Sequence, residues 1–413
     1  MKRTKKIKRY NRIYRSGKHR VSALQVILVT VGCLALFFVG FSVIGPVSDY
    51  LSGRLDPAPS STPMVPVSNT SSEENPSEAS SDAGTGTDTA THSAYLPASA
   101  VQNQAGVDTL ISEFQALGIN NVVIELKDGE GILYYDSQVE AAQKAGVISA
   151  NAVDLTAVVE RFASAGITVT AKLHAFQDDP AAKYLGGLSG SSDAVVRYKG
   201  DTSYVWVDAA VNNGGKRWLN PYSDAAQKYI TDLAGELVSM GCTNILLDSV
   251  QFPTGEALNM TDYGSKQDTM TKQEALQGFV LSLDQKLSEK GAKLIVEVPA
   301  IAAVEIQEDQ YGGTVLSLGA QYLALDLMPS ELENAITIGD QVLSPSTRDP
   351  AEIVRVLLKQ IQANLGNSSV TELIAVLEKG DYTQEQVEAQ ETAARENGVE
   401  SYLLYNENGD YQF

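Results

Sequence analysis

Cysteine, histidine and tryptophan are scarce in this chain of 413 residues, with two, three and two copies. Cys33 lies in an apolar run and Cys242 stands alone far beyond it, so no disulfide staples the folded part. With the folded part taken to start at residue 94, His174 is its one histidine. Zinc hydrolases and zinc-dependent deacetylases draw on several His ligands, and those classes lose most of their weight. A serine triad would need His174 as base and a G-x-S-x-G elbow, which Gly187-Leu188-Ser189-Gly190 matches poorly. Gly129-Glu130-Gly131 lacks the third glycine of a dinucleotide fingerprint, and no D-x-[DN]-x-[DN]-G calcium loop occurs. No cofactor and no metal are expected.

Positive charge is scarce everywhere except at the start. Residues 1–20 hold ten Lys or Arg, and the first acid is Asp49. Beyond residue 20, 21 cations face 51 acids, a formal balance of −30 that disfavours nucleic acid as a partner. Val21 to Ile44 is a 24-residue stretch without charge. As a helix rising about 1.5 Å per residue it spans roughly 36 Å, enough for a bilayer core of about 30 Å. The ten preceding cations place the N-terminus in the cytoplasm. No small-x-small cleavage site follows Ile44, so the expectation is an uncleaved signal anchor rather than a cleaved signal peptide. Residues 45–93 read as a linker. From Ser52 to Ser93 it is rich in Ser, Thr and Pro, too polar to bury a core, and reaches roughly 35 Å as a flexible coil. The rest of the chain would then stand outside the cell, in the envelope.

Residues 94–413 alternate short apolar runs with amphipathic segments. Strands are expected at Ala94–Pro97, Asn121–Leu126, Ile167–Leu173, Asn244–Asp248, Lys293–Val298, Tyr322–Met328, Glu372–Leu377 and Glu400–Tyr405. Between them Leu110, Ile111, Phe114 and Leu117 share a helix face, as do Leu155, Val158, Val159 and Phe162, and Ala226, Ile230, Leu233 and Leu237. Thr271 with Glu274 and Thr383 with Gln386 have capping-box spacing. Gly118, Gly166, Gly241, Gly291 and Gly398 stand where helices stop before the next strand. Eight β-α units predict an α/β fold, a closed (β/α)₈ TIM barrel, with a doubly wound sheet as the rival.

In such a barrel the chemistry sits at the C-terminal strand ends. That rule selects Glu125, Lys127 and Asp128; Lys172, His174 and Asp178; then Asp248, Glu297, Asp326 and Asn406. The set is rich in carboxylates, which fits glycoside hydrolysis, where one carboxyl group protonates the leaving oxygen and another attacks or activates water. Asp248 closes the apolar run of NILLDSVQFP, and Glu297 holds the matching place in KLIVEVP on the next strand. Each alone fits a strand-end cap or a Lys partner equally well; as a pair on adjacent strands they favour function. Asp326 is a positioning candidate. Trp206, Trp218, Tyr222 and Phe252 are sugar-stacking candidates, although loop packing explains each of them singly.

Four stretches carry a family resemblance: VVIELKDGEGILYY (122–135), ITVTAKLHAFQDDPAAK (167–183), residues 218–253 and YTQEQVEAQETAARENGVESYLLYN (382–406). Across 94–413 the chain resembles the bacterial putative glycosyl hydrolase domain family, a TIM barrel distantly related to the alpha-amylase superfamily. The resemblance implies Asp248 at the strand-4 nucleophile position and Glu297 at the strand-5 acid position. Gln251 stands where the family carries Arg, Lys172 and Gln177 where it carries Arg and Lys, Tyr405 where it carries Trp, and Glu297 where Asp is frequent. The expectation is a membrane-anchored extracellular glycoside hydrolase acting on a polysaccharide. Asp248 and Glu297 would be catalytic, and Lys127, Asp128, His174, Asp178, Trp218, Asp326 and Asn406 would bind substrate. The rival function is a non-catalytic glycan-binding or scaffold module on the same barrel.

Overall fold

The structure, a computed structural model, describes residues 90–187, 192–332, 335–344, 349–366 and 370–413. The basic tail, the apolar run 21–44 and the linker up to residue 89 lie outside the described residues. Among the described residues no helix is long and apolar enough to cross a membrane.

Eight parallel strands build the barrel: β1 (His92–Pro97), β2 (Asn121–Lys127), β3 (Thr168–His174), β4 (Asn244–Asp248), β5 (Lys293–Pro299), β6 (Tyr322–Asp326), β7 (Glu372–Glu378) and β8 (Ser401–Tyr405). β1 pairs with β8 at His92↔Tyr402 and with β2 at Ser93↔Asn121, so the sheet closes on itself and the doubly wound rival is excluded. Two boundaries move by two residues from expectation, for local reasons, and the others by one or none. The first strand starts at His92 because His92 N–H donates to Asn120 Oδ1, which draws the last linker residues into the barrel. β6 ends at Asp326 because that side chain accepts the N–H of Met328 and turns the chain outward.

The helices α1 (Gln104–Leu117), α2 (Glu140–Ala145), α3 (Leu155–Ser164), α4 (Asp179–Gly186), α5 (Asp224–Ser239), α6 (Lys272–Ser288), α7 (Ala300–Val304), α8 (Pro350–Leu365) and α9 (Gln384–Glu396) connect the strands. Their apolar faces, such as Leu110, Ile111 and Phe114 of α1, pack on the outward strand residues in one large cluster. The hydrophobic effect drives this packing, at about 1.5–3 kcal/mol for each large side chain fully buried. Both expected capping boxes form, at Thr271 and Thr383. Gly118 ends α1 at φ 71°, a left-handed conformation that a side chain would strain. An excursion after β2 adds two strands the sequence did not suggest: Leu133–Tyr135 runs antiparallel to β2, and Ile148–Val153 pairs with it in parallel.

A second apolar cluster fills the barrel itself: Tyr95, Val123, Leu246, Ile295, Ala324, Val376 and Leu403. Side chains alternate along a strand with period two, so the inward positions next in line are Glu125, Asp248, Glu297, Asp326, Glu378 and Tyr405. The apolar layer is therefore a floor, and the layer above it at the C-terminal mouth is polar.

Candidate active site

Lys172 organises the polar layer. Strand register sets it beside Glu125 on β2 and Leu246 on β4. Its ammonium lies 2.7 Å from Glu297 Oε2 and 3.4 Å from Asp248 Oδ2. Those two carboxylate oxygens are thus no more than about 6.1 Å apart, the sum of the two contacts. That separation lets both carboxyls address one glycosidic bond. Lys172 and Glu297 are 6% and 8% exposed, whereas the Asp248 side chain is 29% exposed and faces the mouth.

His174 stands opposite Asp248 in the β3–β4 register. Its Nδ1 is 3.2 Å from Ser249 Oγ and 3.6 Å from Asp248 Oδ2, and its Nε2 is 3.3 Å from Glu125 Oε1. Tyr95 donates its hydroxyl to Glu125 Oε2 at 2.9 Å, and its ring lies 4.5 Å from that of Tyr405. Ser249 has φ 56°, a left-handed conformation that costs a non-glycine residue on the order of 1–2 kcal/mol. The turn aims both the N–H and the hydroxyl of Ser249 at Asp248 Oδ1. Strain of this kind collects at functional sites.

The environment drives the carboxyls apart. Burial pushes Asp248 up, but the Lys172 ammonium and then His174 outweigh it, and the net position lies below the usual carboxylate range. Burial pushes Glu297 up as well, the Asp248 charge adds to this, and Lys172 does not cancel the two. Asp326 is held well above its ordinary value by burial and then by the Glu297 charge. Burial raises Glu125, yet the hydrogen bond from His174 and the nearby cations bring it below the ordinary value. The result is an ionised Asp248 beside a Glu297 that retains its proton more readily, the division of labour that acid–base catalysis by two carboxyls requires.

Other expected residues sit elsewhere. Lys127 and Asp178, 1% and 0% exposed, form a buried pair at 2.9 Å, and Lys127 also donates to His174 O, so the pair lies beneath the surface of the mouth. The cause is a bulge in β2. Glu125 pairs with Lys172, but Lys127 pairs with Leu173, which turns Lys127 off the inward row. Asp178 further caps α4 through Ala181 N–H. Asp128 shapes its turn by accepting the N–H groups of Glu130 and Ile132 and the hydroxyl of Tyr134. Asn406 does the same for Asn408 and Asp410. Trp218 is buried with its Nε1–H on Asp208, and Trp206, Tyr222 and Phe252 are buried too, so all four pack loops instead of stacking on sugar. His92 is a second histidine of the described fold: it opens β1 on the outward row, stacked on Tyr402 at 4.6 Å, away from the mouth. The strand-end rule passed over Tyr95, Ser249 and Tyr311. Tyr95 shares an inward row with Ser93, a signal that was available. Ser249 is exposed only by its dihedral, and Tyr311, whose hydroxyl donates to Gln251 Oε1 at 2.8 Å, arrives from a distant loop.

Residues 93–411 match the model of a family described as "Putative glycosyl hydrolase domain". No curated protein matches the chain. Among solved structures, a hypothetical protein from Ruminiclostridium thermocellum ATCC 27405 is 22% identical over 49% of this chain and 95% of that one, with a TM-score of 0.42. The glycoside hydrolase domain of PelA from Pseudomonas aeruginosa is 14% identical over 78% of this chain and 97% of that one, also at 0.42. A GH20 exo beta-N-acetylglucosaminidase from Vibrio harveyi is 12% identical over 70% of this chain and 41% of that one, at 0.40.

Proposed function

The chain belongs to the putative glycosyl hydrolase domain family, matched across nearly the whole barrel, and from that premise we propose that the barrel mouth hydrolyses glycosidic bonds of a polysaccharide with Asp248 and Glu297. Asp248 acts as nucleophile or base and Glu297 as general acid, while His174 and Asp326 meet the sugar from β3 and β6. The observation that supports this most is the shared ammonium: two carboxyls from adjacent strands converge on Lys172, one held below and one above its ordinary pKa. On this reading Glu297 keeps its proton to higher pH than an ordinary carboxyl and delivers it to the leaving oxygen, while Asp248 attacks the anomeric carbon or activates water. Removing either carboxyl should therefore cost far more turnover than binding.

The placement in the cell rests on the sequence. The uncharged run Val21–Ile44 after ten cations supports a single-pass anchor with a cytoplasmic N-terminus, and the polar stretch read as a linker over 45–93 supports a barrel outside the membrane, in the envelope. The test is release of new reducing ends from neutral and amino-sugar polysaccharides and purified cell-wall glycans, with Asp248→Asn run alongside. Cleavage by wild type alone supports the proposal. Glycan retention by both proteins without cleavage by either would assign a binding module instead.

A further inference from the structure

The mechanism so far leaves Glu125 without work, although it is an inward carboxylate at the mouth. We propose that Glu125 is a positioning residue: it grips His174 through Nε2–H and so fixes the imidazole edge and the Ser249 turn against Asp248. The proposal rests on the reading of Asp248 as the reacting carboxylate.

Hydrogen-bond counting carries it. Tyr95 gives its proton to Glu125 Oε2 at 2.9 Å, and Tyr405 packs on the Tyr95 ring and keeps that hydroxyl in place. The other oxygen, Oε1, faces His174 Nε2 at 3.3 Å. A carboxylate only accepts, so Nε2 must bring the hydrogen. That choice fixes the ring plane and turns Nδ1 to the opposite side, 3.2 Å from Ser249 Oγ. Ser249 in turn directs its N–H and hydroxyl to Asp248 Oδ1, while Lys172 holds Oδ2. Asp248 is thereby clamped on both oxygens, and the chain from Tyr95 through Glu125 and His174 braces one side of the clamp. Asp248 is the most exposed member of the set, and a carboxyl left to rotate at an open mouth would lose its attack geometry; a misplacement of about 1 Å can cost about a hundredfold in rate.

The test follows the imidazole directly. Full-length protein with nitrogen-15 histidine is examined by ring nitrogen–proton correlation at neutral pH, and His174→Gln assigns the signal. The expected wild-type pattern has a proton on Nε2, joined by a second on Nδ1 when the Ser249 hydroxyl gives its hydrogen to Asp248. Glu125→Met keeps the chain length but offers no acceptor, and should give a mixture of ring tautomers; Glu125→Gln keeps an acceptor and should preserve the wild-type pattern. On a cleaved glycan, Glu125→Met should lower kcat by tenfold or more with KM little changed, and Glu125→Gln should recover most of the loss. Should Glu125→Met fail to fold, Tyr95→Phe releases Oε2 and should loosen the same signal. A wild-type ring protonated on Nδ1 alone, or a folded Glu125→Met or Tyr95→Phe variant with unaltered ring signals, would overturn the proposal. The spectra report on the grip itself, so a failure of the hydrolase reading would show separately, as cleavage by Asp248→Asn or by no form of the protein.

Discussion

Replacing Lys172 with Met removes the ammonium that touches both Asp248 and Glu297. In the wild-type protein Asp248 sits below its ordinary value. Such a group contributes stability above its unfolded-state pKa and loses it as pH falls through the folded value. Without Lys172, burial and mutual repulsion drive both carboxyls upward, and each then costs stability as pH rises through its new value. Stripping one partner from a buried ion pair costs about 3–5 kcal/mol. For a large domain, at about 2–4 °C per kcal/mol, Tm should fall by roughly 6–20 °C at pH 7. Near pH 4 the stranded carboxyls take up protons, so the gap from wild type should narrow. Thermal unfolding at pH 7 and pH 4 measures both numbers, and Lys172→Arg, which keeps the charge, should regain most of the loss. Equal melting at pH 7, or a gap that does not narrow on acidification, would refute the reasoning.

Glu297→Gln keeps the side-chain volume and removes an acid whose raised pKa costs stability as pH rises. Its stability relative to wild type should therefore improve from pH 4 to pH 8 in denaturant melts, while turnover falls by about a hundredfold or more. Asp178→Asn leaves Lys127 buried beside a neutral partner and should cost about 3–5 kcal/mol on unfolding. Because the pair lies off the inward row, kcat/KM per folded molecule should stay at the wild-type level; a selective loss of activity would return Asp178 to the substrate site.

The barrel was legible because buried parallel strands read as unbroken apolar runs, and here glycines close the helices before them. All eight strands fall within two residues of expectation, and Asn244–Asp248 falls on its bounds. The added strands Leu133–Tyr135 and Ile148–Val153 escaped because one is three residues long and the other is half exposed, with no apolar run. At the site, strand ends alone could not separate inward from outward residues. Glu125 and Lys127 look equivalent in VVIELKD, yet the bulge between them sends one to His174 and the other to Asp178. Asp128 and Asn406 sit at strand ends as turn-formers, a role short polar side chains take as readily as catalysis. The tryptophans fit the loop-packing alternative, because aromatic residues in long loops give those loops a core, and Trp206 and Trp218 are both buried there. The ten-cation tail and the run from Val21 to Ile44 lie outside the described residues, so the anchor rests on sequence alone.

The most direct test of the central claim compares wild type, Asp248→Asn and Glu297→Gln on a single glycan that the protein binds, with reducing ends and bound glycan quantified in the same samples. Both variants should hold the glycan within a few-fold of wild type and lose turnover by about a hundredfold or more. Undiminished cleavage by either variant would contradict the assignment of that carboxyl to the chemistry.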